Sequence, residues 1–66
     1  MKLTVNGKPV ELPDGSTVTT LIAQLGMEPA KVAIERNQDV IPRRTWSEAR
    51  LSDGDHIEIV TFVGGG

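Results

Sequence analysis

The sequence predicts an α+β fold, in which a mixed sheet of four to five strands packs on one main helix. Three observations carry this prediction. Apolar and polar residues alternate on both sides of Asn6-Gly7, apolar residues recur at helical spacing from Val18 to Leu25, and alternation returns after His56. Alternation marks a half-buried strand, and a repeat of about 3.6 residues marks an amphipathic helix. The order of periods therefore gives the order of elements.

Leu3 and Val5 alternate with polar neighbours, and Val10 and Leu12 repeat the pattern. Asn6-Gly7 between them is a strong hairpin signal, because both residues tolerate positive φ. Pro9 falls at the start of the second strand, where its missing amide costs least. Pro13-Asp14-Gly15 is a turn, after which Ser16 or Thr17 can cap a helix. Val18, Leu21, Ile22 and Leu25 lie at i, i+3, i+4 and i+7, one face of a helix of about nine residues. Gly26 suits a left-handed stop, and Met27 is expected to fold back onto the helix end.

Pro29 separates this helix from a short strand, Val32-Ala33-Ile34-Glu35-Arg36. Asn37-Gln38-Asp39 reads as a turn and Val40-Ile41 as a two-residue strand ended by Pro42. Residues 43–50 form one helical turn or an irregular loop. Ser52-Asp53-Gly54-Asp55 is a further turn, and the last strand runs from His56 to Val63. A crossover helix after a hairpin commonly delivers the next strand beside the first and parallel to it. The result is a two-layer roll of the β-grasp kind.

Composition limits what such a chain does. It has 66 residues, nine acidic against seven basic, and no cysteine. One domain is expected, residues 1–63, followed by a flexible glycine tail, residues 64–66. Disulfides, cysteine-built zinc sites and cysteine nucleophiles are excluded. No run approaches the roughly 20 apolar residues of a membrane span, and the mild acidity disfavours nucleic acid. The chain reads as a small cytoplasmic protein that binds neither membrane nor nucleic acid.

Gly64-Gly65-Gly66 is the feature that asks for a function. It is either a fraying remnant or a slender arm carrying the α-carboxylate of Gly66. At roughly 3.3–3.6 Å per extended residue, three residues reach about 10 Å, enough to enter a narrow channel where a Cβ would clash. Ile57 and Ile59 share the expected core face of the last strand, with Glu58, Val60 and Phe62 opposite. Phe62 either closes the core edge or anchors a partner beside the tail. Trp46 is expected to pack under its loop, with contact to a partner as the alternative. Arg43 and Arg44 form a solvated face or meet an acidic partner or a phosphate. His56 is expected at the surface, and Asp53-Gly54-Asp55 lacks the spacing of a calcium loop. No nucleophile, base or metal cluster can be assembled, so the chain is read as no enzyme, with no catalytic or metal residue and no bound cofactor.

The residues also carry a resemblance over essentially the whole chain. Asn6-Gly7, Asp14-Gly15-Ser16-Thr17-Val18, Val32 to Asn37, Val40-Ile41-Pro42-Arg43, Trp46, Leu51 to Asp55, Ile57 to Val60 and Gly65-Gly66 together resemble the ThiS family. That family comprises the small sulfur carriers of thiamine biosynthesis, within the ubiquitin-like β-grasp group. A terminal diglycine alone is shared with molybdopterin and ubiquitin-type carriers. The short length and the segment from Val40 to Trp46 favour the thiamine type.

The resemblance implies a mechanism that runs through the tail. A ThiF-like adenylating enzyme would use ATP and magnesium to convert the Gly66 carboxylate to an acyl-adenylate. A sulfur donor such as a cysteine desulfurase would lead to a thiocarboxylate. A ThiG-like thiazole synthase would then take the sulfur. Gly64 and Gly65 would enter the partner's active site, and Val60 and Phe62 would dock. A carrier of the same chemistry for molybdopterin, cysteine or a secondary metabolite is the nearest alternative. A ubiquitin-like modifier is a further one.

Overall fold

A computed structural model describes residues 1–62 of the chain. Strands β1 (Lys2–Val5) and β2 (Lys8–Glu11) form an antiparallel hairpin with Val5 opposite Lys8. Asn6 and Gly7 turn the corner with φ of 49° and 82°, the left-handed pair that a two-residue hairpin loop requires. Pro9 lies within β2, which forms one edge of the sheet, where a missing amide leaves no ladder bond broken.

Helix α1 spans Val18–Gln24. It is shorter than the nine residues expected, because Thr17 and Leu25 serve as its caps. Of the two candidate N-caps, Thr17 does the work: its hydroxyl accepts the Thr20 N–H at 3.3 Å. At the other end Gly26, at φ 71°, donates to the Ala23 carbonyl, while Met27 donates to that of Ile22. These two bonds are the paired closure of a Schellman motif. Met27 packs against the core, as the sequence predicts.

Strand β3 (Val32–Arg36) follows a single 3-10 turn over Pro29–Lys31, which periodicity had not marked. β4 is Asp39–Val40, one residue earlier than expected. The cause is the turn: Asn37 and Gln38 both take positive φ, 50° and 76°, so two residues suffice and Asp39 pairs at once with Arg36. Ile41 still extends the ladder by donating to the Ile34 carbonyl at 2.9 Å. The segment expected as a helical turn or loop begins with a 3-10 turn, Arg43–Thr45. An isolated bridge between Thr17 and Arg50 ties its far end to the start of α1.

The last strand, β5, spans His56–Thr61 and lies at the centre of the sheet order β2-β1-β5-β3-β4. It runs parallel to β1 and antiparallel to β3. The α+β β-grasp arrangement is therefore present, with five strands on one main helix. Val18, Leu21 and Ile22 meet Leu3, Val5, Val32, Ile34, Ile57 and Ile59 in one buried cluster that also takes in Leu12, Trp46 and Leu51. Every apolar face that the repeats define points into this single core. That agreement between levels is what a domain of this size needs in order to fold.

Candidate functional site

The expected carrier residue Gly66, the tail residues Gly64 and Gly65, and Val63 at the expected end of the last strand lie outside the described residues. What the structure does define is the platform from which they depart. β5 carries Ile57 and Ile59 inward, while Glu58 and Val60 face outward. Val60 is 54% exposed and Phe62 48%. The Phe62 backbone remains in the ladder, its N–H donating to the Lys31 carbonyl at 2.8 Å. Phe62 therefore does not seal the core edge. Its ring stands half in solvent, on a backbone held by Lys31, the residue just before β3.

The outer face around Val60 follows from the register. Ala33 on β3 lies opposite Val60, and Glu35 lies opposite Glu58. Glu35 in turn faces Val40 on β4, which is 67% exposed. Val40, Val60 and Phe62 are the exposed large apolar residues of the described chain, and β5, β3 and β4 bring them to one side of the sheet. Sequence alternation had marked Val60 and Phe62. Val40 was not marked, because only strand pairing brings it to that side.

Other candidates resolve into structural roles. Trp46 is buried as expected, with its indole N–H donating to the Ile41 carbonyl at 2.9 Å. Arg43 is exposed, as expected of a solvated face, and it also caps the edge of β3. It donates to the carbonyls of Pro29 at 2.7 Å and Val32 at 2.9 Å, and its guanidinium stands 5.0 Å from the Trp46 ring centroid. Arg44 is exposed, as is His56. Asp53 accepts the Lys2 N–H at 2.7 Å.

Asp55 is buried, which the turn pattern had not revealed. Its carboxylate meets Arg36 Nε at 2.8 Å and accepts from the Ser52 N–H and from Asn37 Nδ2. This knot is structural: it joins β3, the β3–β4 turn and the turn before β5. Among the described residues no three of His, Asp or Glu gather as metal ligands, and no cavity opens. No helix of the described chain is long and apolar enough to cross a membrane.

A model of the ThiS family matches residues 3–66. The chain belongs to the ThiS family. Relatives within and around that family divide into two lengths. The sulfur carrier protein ThiS of Bacillus subtilis is 43% identical over 65 residues, covering 97% of this chain and 98% of the relative. A thiazole synthase of Paramagnetospirillum magneticum is 41% identical over 66 residues, covering all of this chain but 20% of the relative. The chain thus spans about a fifth of the length of the first curated relatives it matches. Among solved structures, the thiamine biosynthesis protein ThiS of Geobacter metallireducens superposes with a TM-score of 0.85 at 36% identity, with both chains fully covered. The ThiS fold and the β-grasp sheet described above are the same architecture.

Proposed function

We propose that this chain is a sulfur carrier for thiazole formation in thiamine biosynthesis, and that the Gly66 carboxylate is the carrying group. The observation that carries the reading is end-to-end likeness at both levels. The whole chain aligns with ThiS proteins of its own length, and the described fold superposes on a ThiS structure over its full extent. The cytoplasmic setting expected from the sequence goes with this role.

The chemistry places every reactive group but one on partners. An adenylating enzyme of the ThiF-like type directs a Gly66 carboxylate oxygen onto the α-phosphate of ATP. Pyrophosphate leaves and an acyl-adenylate forms. Magnesium on that enzyme offsets the phosphate charge. The terminal sulfur of a persulfide from a cysteine desulfurase route then attacks the acyl carbon, and AMP leaves. A second thiol attacks the sulfur on the donor-cysteine side of the resulting acyl disulfide, and the thiocarboxylate departs. Thiazole synthase takes that sulfur, and the carboxylate returns.

This chain supplies reach, a covalent handle and a docking face. Gly64 and Gly65 give a segment with no Cβ to obstruct a narrow channel. Val60 and Phe62, exposed beside the point where the tail departs, are the apolar contacts for the receiving enzyme. Thiazole synthase as the acceptor draws support from two relatives of that name, in which a segment 41% and 44% identical to this whole chain forms part of a longer polypeptide.

The deciding measurement is the intact mass of the chain after incubation with an adenylating enzyme, ATP, magnesium and a persulfide source. Replacement of oxygen by sulfur adds about 16 Da, a covalent change on the scale of other small modifications. Fragmentation must place the increment on Gly66, because oxidation of Met1, Met27 or Trp46 adds nearly the same mass. Absence of that increment with competent enzymes would reject the carrier reading.

A further inference from the structure

The outer face of β3 and β5 carries a charge arrangement that folding alone does not favour. Glu35 and Glu58 are direct cross-strand partners. Like charges in that position destabilise a sheet. Among the described residues neither carboxylate forms an ion pair; the salt bridges there join Met1 to Asp14, Lys31 to Glu28 and Arg36 to Asp55. Strand alternation leaves β3, β4 and β5 with no lysine or arginine on this side, since Arg36 turns inward to Asp55. Val60 follows Glu58 along β5 with Ala33 beside it, and Val40 flanks Glu35 on β4. An acidic row therefore crosses an exposed apolar strip.

From this juxtaposition we infer that the Glu35–Glu58 pair is a recognition element for a basic surface of thiazole synthase, docked over Val40, Val60 and Phe62. The inference rests on the sulfur-carrier reading and extends it to the partner's chemistry. The partner face presents an apolar cleft for Val60 and Phe62, with at least one Lys or Arg set over the carboxylates. A second copy of this chain does not fit. Contact through this face would gather four carboxylates and bring no Lys or Arg from these strands. A cation from the partner converts a repulsive pair into an attractive one only in the complex, which favours association and disfavours mismatched surfaces.

The test is stopped-flow or surface-plasmon measurement of association with purified thiazole synthase, at low and high salt, for the double variant Glu35→Gln, Glu58→Gln. A control variant, Glu11→Gln with Glu48→Gln, removes the same charge at exposed positions elsewhere. The expected result is association about tenfold slower at low salt for the first variant, with a flatter salt dependence. Its urea midpoint should rise as the cross-strand repulsion is relieved. Glu58→Lys should weaken binding further. An association rate and salt slope equal to wild type, or matched by the control variant, would overturn the inference. Thiocarboxylate formation on the wild-type chain, read by mass, tests the carrier role separately, so the two can fail independently.

Discussion

The side-chain amide of Asn6 pairs with both backbone groups of Ile59, Nδ2 donating to its carbonyl at 3.2 Å and Oδ1 accepting its N–H at 2.8 Å. β1 stops pairing with β5 at Val5 and Ile57, yet the central strand runs on. The carboxamide stands in for one more peptide group and extends the parallel ladder by a step. Asn at this position thus has two tasks, since its backbone also holds a left-handed φ of 49°. Asn6→Ala removes both the pairing and the tolerance of that φ. It should destabilise the fold by about 2–3 kcal/mol, read as a lower urea midpoint. Asn6→Asp keeps the acceptor and loses the donor, and should fall between Ala and wild type.

A second prediction concerns Asp55. Its carboxylate is buried and serves Arg36, Ser52 and Asn37 together. Asp55→Ala leaves a guanidinium and two amide donors without their acceptor. Because Arg36 retains some access to water, the expected loss is about 2–3 kcal/mol rather than the full cost of an orphaned buried charge. In a domain of this size that lowers Tm by roughly 8–24 °C, at about 4–8 °C per kcal/mol. Calorimetry checks it.

The third is a test of geometry against charge. Arg43 reaches two carbonyls and stacks on Trp46. Arg43→Lys keeps the cation but forfeits the fork, so a loss of about 1–2 kcal/mol is expected. A change in Trp46 fluorescence should accompany it. Equal stability of the lysine variant would show that charge alone holds the β3 edge.

The fourth separates docking from folding. Phe62 is half exposed and Val60 more so. Val60→Ser with Phe62→Ser should lower stability by only about 1–2 kcal/mol, the half-buried share of the two side chains, while weakening association with the adenylating enzyme or thiazole synthase at least tenfold. Parallel thermal melts and binding titrations resolve the two effects.

Much of the fold was legible because its signals are local. The Asn6-Gly7 turn, the spacing from Val18 to Leu25 and the left-handed Gly26 are each written within a few residues, and each appears in place. β4 shifted because Asn37 and Gln38 both adopt a conformation usually given to glycine, which composition does not announce. The roles of Arg43 and Asp55 were not legible. Their deciding partners, Pro29 and Val32 for Arg43 and Arg36 and Asn37 for Asp55, are distant in sequence, so a solvated residue and a structural one look the same until the chain is closed. The docking candidates divide the same way. Alternation along one strand exposed Val60 and Phe62. Only the register of β5 against β3 brings Glu35 to Glu58, and only that of β4 adds Val40.

The central position of β5 has a mechanical consequence. A pull along the axis of β5 loads its bonds to β3 on one side and to β1 and Asn6 on the other together, in shear. A strand at the sheet margin, pulled the same way, would be held by one neighbour instead of two. Tension along that axis therefore ends in the middle of the sheet and is spread over both of its halves.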